Sequence, residues 1–163
     1  MDAILSQWSE FNVAMAGATA ALAGLVIVAS SVNIAEIIKS NTLTARLGAG
    51  IASLVLALVA SALGLVPEIS PMWFGIVLLC AVLGSAVFQV HAARLVFADA
   101  DPAARVRIPK AALGFLPIVA YAASAVAVML QHPSGLHFSA AGCLLAIVAA
   151  IIVSWVALVE VLR

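Results

Sequence analysis

Residues 11–35 read FNVAMAGATAALAGLVIVASSVNIA. This uncharged run of about 25 residues exceeds the ~20 that a helix needs to cross the hydrocarbon core of a bilayer. It predicts a membrane-spanning helix and thereby the fold class. Within it Asn12, Ala16, Thr19, Ala23, Ser30 and Asn33 recur at helical steps and line up as one small-and-polar stripe. Gly17, Ala20, Ala21, Gly24 and Ser31 make a second small face beside it. Small residues let helix backbones approach closely, and hydroxyls and amides in a membrane need a partner or water. The helix is therefore expected to be wrapped by protein or to face water along much of its length.

The rest of the chain agrees with that class. Of its 163 residues 66% are hydrophobic and 9% charged, and the mean hydropathy is +1.28. Soluble domains lie nearer ~45–50% apolar and ~25% charged, so composition indicates an integral membrane protein and speaks against nucleic-acid binding. The opening MDAILSQWSE has no basic segment before the first apolar run, and that run is too long for a signal-peptide core. The first helix is expected to stay. Cys80 and Cys143 both sit inside apolar runs, so no disulfide framework is implied.

Further spans follow from hydropathy and its interruptions. The second runs over residues 47–66 and closes at Pro67; the third runs over 72–93. Pro67-Glu68-Ile69-Ser70-Pro71 between them is a tight turn, and Thr42 or Thr44 is the expected N-cap of the second span. Asp101-Pro102 suggests a short surface helix in the polar loop. From Ala111 to Val159 no charge appears, too long a stretch for one crossing, and Gln131-His132-Pro133-Ser134-Gly135 divides it. The fourth and fifth spans are then 111–130 and 136–159. The expectation is an all-α, single-domain polytopic bundle of five spans. Gly17, Gly24, Gly50, Ala57 and Gly64 are its candidate helix-packing residues.

Five spans place all seven basic residues, Lys39, Arg46, Arg94, Arg105, Arg107, Lys110 and Arg163, on one side. The positive-inside rule makes that side cytoplasmic, with the N-terminus outside and the C-terminus inside. Location in a bacterial inner membrane, in contact with the lipid bilayer, is the matching expectation.

The chemical inventory is thin. No acid or base lies at the centre of a span, and no phosphate loop, HExxH or nucleophile elbow occurs. An enzyme is not expected, nor a metal or cofactor. Glu10, Glu68, His132 and His137 fall at the outer face and are candidates for a vestibule, although a solvated polar turn explains the histidines as simply. Ser85, Gln89 and His91 make the third span polar toward its inner end, as a pore mouth or as interhelical hydrogen-bonding groups. For the first-span stripe, close packing competes with the lining of a passage in a ring of subunits. The polar members Asn12, Thr19, Ser30 and Asn33 keep the second reading open.

The segment FNVAMAGATAALAGLVIVASSVNIAEI resembles the opening of a family of uncharacterised small bacterial multi-span membrane proteins. They share an early aromatic residue, a Gly/Ala-rich first span and an asparagine after it. The resemblance implies the membrane class and brings no catalytic residues. The leading expectation is a homo-oligomeric channel or pore for ions or small solutes, favouring cations. The competing one is a non-catalytic accessory or scaffold subunit of a larger membrane complex.

Overall fold

The structure is a computed structural model and describes residues 8–98 and 107–161. Every regular element among them is a helix: α1 (Ser9–Val32), the single turn α2 (Ile34–Ile37), α3 (Asn41–Leu63), α4 (Pro71–Ala98), α5 (Arg107–Met129) and α6 (Gly135–Val161). By length and composition α1, α3, α4 and α6 are each able to cross a membrane, and Leu113–Met129 of α5 is a shorter apolar helix. These helices mark a membrane-embedded protein. The Asp101-Pro102 helix of the sequence reading lies outside the described residues.

Local chemistry sets the boundaries. The N-cap of α3 is Ser40 and not Thr42 or Thr44: Ser40 is extended (φ −115°, ψ 108°), and its hydroxyl accepts from the Leu43 amide at 3.2 Å. An extended cap residue can turn its side chain back on the exposed amides of the first turn, whereas Thr42 and Thr44 already lie inside the helix. Pro71 opens α4, where its missing N–H costs nothing, and the Ser70 hydroxyl accepts from the Trp73 amide at 3.3 Å. Helix α5 ends in a Schellman motif: His132 N–H donates to the Ala127 carbonyl at 2.8 Å, and Gln131 N–H to that of Val128 at 2.9 Å. Gln131 (φ 54°) takes the left-handed position that glycine usually fills.

The packing differs from the expectation that the first span is wrapped by protein. Helix α3 is central, touching α1, α4 and α6, while α5 closes a four-helix ring between α4 and α6. Helix α1 lies outside that ring against α3, with a minor contact to α6. The main core comes from the ring alone: Leu56, Ala57 and Ala60 meet Phe74, Leu78, Val82, Tyr121, Ala125, Cys143 and Ala146. Two glycines admit close approaches to the α5 core side chains. At Gly142 a Cβ would stand 3.0 Å from the Tyr121 ring, and at Gly75 it would meet the Met129 side chain and, at 3.0 Å, the Ala125 carbonyl oxygen.

Ser124 is fully buried, and its hydroxyl donates to the Gly135 carbonyl at 2.8 Å, tying α5 to the start of α6. Ser124→Ala is expected to lower stability by about 1 kcal/mol, read as a fall in the unfolding midpoint in detergent micelles. An unchanged midpoint would show that this bond does not hold the turn.

Candidate functional site

Hydrogen bonding explains how α1 can carry polar groups at all. Thr19 donates to the Met15 carbonyl at 2.7 Å, Ser30 to that of Val26 at 2.7 Å, and the Asn33 amide to that of Ala29 at 3.1 Å. Each group bonds back to the preceding turn, which satisfies the hydroxyl protons of Thr19 and Ser30 and one N–H of Asn33 without water or a neighbour. Burial then shows which way the stripe faces. Thr19 is 0% exposed and Asn12 and Ala23 are 9% exposed. Ala23 packs with Leu54 of α3 and Ala150 of α6, and the Asn12 amide lies against Gly64 of α3. Ala16, Ser30 and Asn33 are half-buried. Asn12, Thr19 and Ala23 are thus sealed against their own chain, which favours packing over lining for this part of the stripe.

The packing candidates divide. Ala57 is fully buried in the core, Gly64 receives Asn12, and Gly50 faces Val153 of α6 at 3.7 Å. Gly17 and Gly24 have nothing within 4 Å of an added Cβ, so their face of α1 makes no close contact within the chain.

At the end where α1 begins, Glu10, Glu68, His132 and His137 are all exposed. The histidines engage different neighbours. His132 Nδ1 lies 2.7 Å from the Ser134 hydroxyl, and His137 meets the Trp8 ring edge-on at 5.0 Å. Among the described residues no group of three or more His, Cys, Asp or Glu is placed to hold a metal.

Below that end the ring is closed by side chains. Phe74, Leu78, Tyr121, Val128 and Leu136 are buried between its helices. The Tyr121 hydroxyl makes no well-formed hydrogen bond and interacts only with the Cys143 thiol, itself in contact with Ser61. Cys80 is exposed and Cys143 buried, and both are free thiols.

No protein-family model, no curated protein and no solved structure matches the chain. Functional evidence therefore comes from the geometry.

The other end is where polar side chains converge. Lys39, Arg46 and Arg94 lie there, Lys39 in an exposed ion pair with Glu36 at 2.7 Å. Between α3, α4, α5 and α6 opens a crevice of about 470 Å3, its open mouth included, whose polar lining is Arg46, Ser53 and Gln89. Gly114 lies directly against the Gln89 amide, and Gly50, Ala149 and Ala92 complete the walls. Of the sequence-level group on α4, Ser85 and Gln89 are buried, while His91 is exposed. The sequence reading missed Arg46, Ser53 and Gly114 as partners of Gln89. A signal existed: Arg46, Gly50 and Ser53 fall at steps of four and three, one face of a helix.

Proposed function

We propose that the chain crosses the bacterial inner membrane five times, N-terminus outside and C-terminus cytoplasmic, as a non-conducting accessory or scaffold subunit of a larger membrane complex. The fifth crossing is α5, whose 23 residues rise about 35 Å at 1.5 Å per residue, enough for a ~30 Å core. The orientation rests on the shared end of Lys39, Arg46, Arg94, Arg107 and Lys110.

One observation carries the non-conducting reading. Between the two ends of the bundle, the exposed positions of the described helices are Ala, Gly, Val, Leu, Ile and Phe, with Ser31, Cys80, His91 and Trp155 as exceptions. The polar groups of α1 are turned onto α3 or bonded to their own helix. The interior of the ring is filled by Tyr121, Leu78 and Phe74. A passage between subunits would thus be walled by hydrocarbon, which dewets. The Gly17, Ala20, Ala21 and Gly24 face instead suits close approach of a partner's helix.

Reconstituted, purified protein should pass no cation current. A current that falls in the Glu10→Gln/Glu68→Gln double variant would overturn the accessory reading in favour of a channel. Topology has its own check. Cysteine at Glu68 or Ser134 should be labelled from outside intact cells and cysteine at Ala98 should not; the reverse pattern would refute the orientation.

A further inference from the structure

We infer that the crevice at the basic end of the four-helix ring is a binding site for a phosphate-type oxyanion, contributed by Arg46 and Ser53 of α3 and Gln89 of α4. The inference stands apart from the accessory reading, and either can fail without the other.

The first ground is an unmet hydrogen-bonding capacity. Gln89 is 8% exposed, and its amide forms no hydrogen bond among the described residues. Its Nε2 and Oε1 are held against Gly114, at a position where any Cβ would displace them. Ser53, 3% exposed, does not bond back to its own helix as Thr19 and Ser30 do, and has no hydrogen-bond partner among the described residues. Neither group is among the sealed, unpaired polar atoms of the described residues, which are Ser85 Oγ and Tyr121 Oη, so both stay open to the crevice. Both groups line the same crevice, so a polar occupant there would satisfy them together.

The second ground is the sign of the lining. Arg46 is half-buried on the crevice wall and also makes an interaction of its own. A guanidinium carries five N–H donors, so one interaction does not exhaust it. A guanidinium, an amide NH2 and a hydroxyl form a donor set, and no Asp or Glu is among the described lining residues. That set complements phosphate oxygens, for which guanidinium forks are well suited.

The third ground is access. Arg46 and Val96 set the crevice toward the end that also bears Lys39 and Arg94, and basic pockets between membrane helices at that level can hold anionic headgroups. The phosphate can belong to a lipid headgroup or be free in solution. The chemistry is shared, and the experiment separates the sources.

The test uses delipidated full-length protein in a neutral detergent, with native mass spectrometry as readout. It is titrated separately with phosphatidylglycerol, phosphatidylcholine and inorganic phosphate. Retention of phosphatidylglycerol over phosphatidylcholine identifies a headgroup site, and saturable binding of inorganic phosphate identifies a free anion. In either case Gln89→Leu and Arg46→Gln should each weaken binding about ten-fold, the loss expected of one charge-assisted or buried hydrogen-bonding group. Ser53→Ala, the mildest change, should weaken it less and serves if either larger change perturbs folding. Arg94→Gln, exposed at the same end but outside the lining, should leave affinity unchanged. The inference is overturned if no anion is preferred. It is equally overturned if Arg94→Gln weakens binding as much as Arg46→Gln, or if folded Gln89→Leu and Ser53→Ala bind as the parent does.

Discussion

Gly142→Ala is expected to destabilise the protein by about 1–3 kcal/mol, the usual cost of forcing a methyl into a filled core. The new Cβ would stand 3.0–3.1 Å from three atoms of the Tyr121 ring. Tyr121 is itself fully buried among α3–α6 core residues, so the ring has no direction in which to give. Gly75→Ala should behave alike, because the nearest rigid obstacle there is the backbone oxygen of Ala125. Gly17→Ala makes the contrast. Nothing lies within 4 Å of its Cβ, so only helix propensity changes, a gain of up to about 1 kcal/mol. Unfolding midpoints in mixed micelles, followed by circular dichroism, give the ranking. A midpoint for Gly142→Ala equal to or above that of Gly17→Ala would refute the α5–α6 packing. Gly17→Leu adds a second readout: it should leave the isolated bundle folded while reducing co-purification of any partner held on that face of α1.

That contrast shows what a sequence can and cannot display. Gly17 and Gly24 were easy to single out, because their regular spacing on an uncharged helix is visible without a partner. Gly142 and Gly75 were not, since their importance depends on which way Tyr121 and Met129 point from another helix. Span existence was legible because it depends on runs of apolar residues and on the breaks Pro67–Pro71 and Gln131–Gly135. Those are one-dimensional properties. The centrality of α3 was not, although its face of Ser53, Ala57, Ala60 and Gly64 was visible as small residues. A helix buried on several sides and one buried on one side carry the same small residues when lipid covers the remainder. The donor set of Arg46, Ser53 and Gln89 was half legible for the same reason. Gln89 stood out as an amide in a span, but its neighbours come from a different helix.

The α1 stripe is the sharpest case, because a small-and-polar pattern is identical whether it meets water or another helix. Ala23→Leu should separate the two. Ala23 is 9% exposed and packs with Leu54, which is 0% exposed, and with Ala150. Three additional heavy atoms there have no room unless α1 moves away from α3. Overpacking of this kind costs about 1–3 kcal/mol, and beyond α3 the described residues hold α1 by a minor contact with α6 and by Met15 against the ring core. The expected result is a bundle whose α3–α6 ring survives while α1 detaches. A cysteine pair at Asn12 and Gly64, which touch, reports this directly: it should cross-link in the parent and fail to do so with Ala23→Leu. Thr19→Cys completes the test. At a position 0% exposed, the thiol should resist a hydrophilic thiol reagent that modifies Ser134→Cys within minutes. Rapid modification of Thr19→Cys, together with cross-linking that survives Ala23→Leu, would return the stripe to water. It would also restore the pore, because a side chain that reacts at that depth must line one.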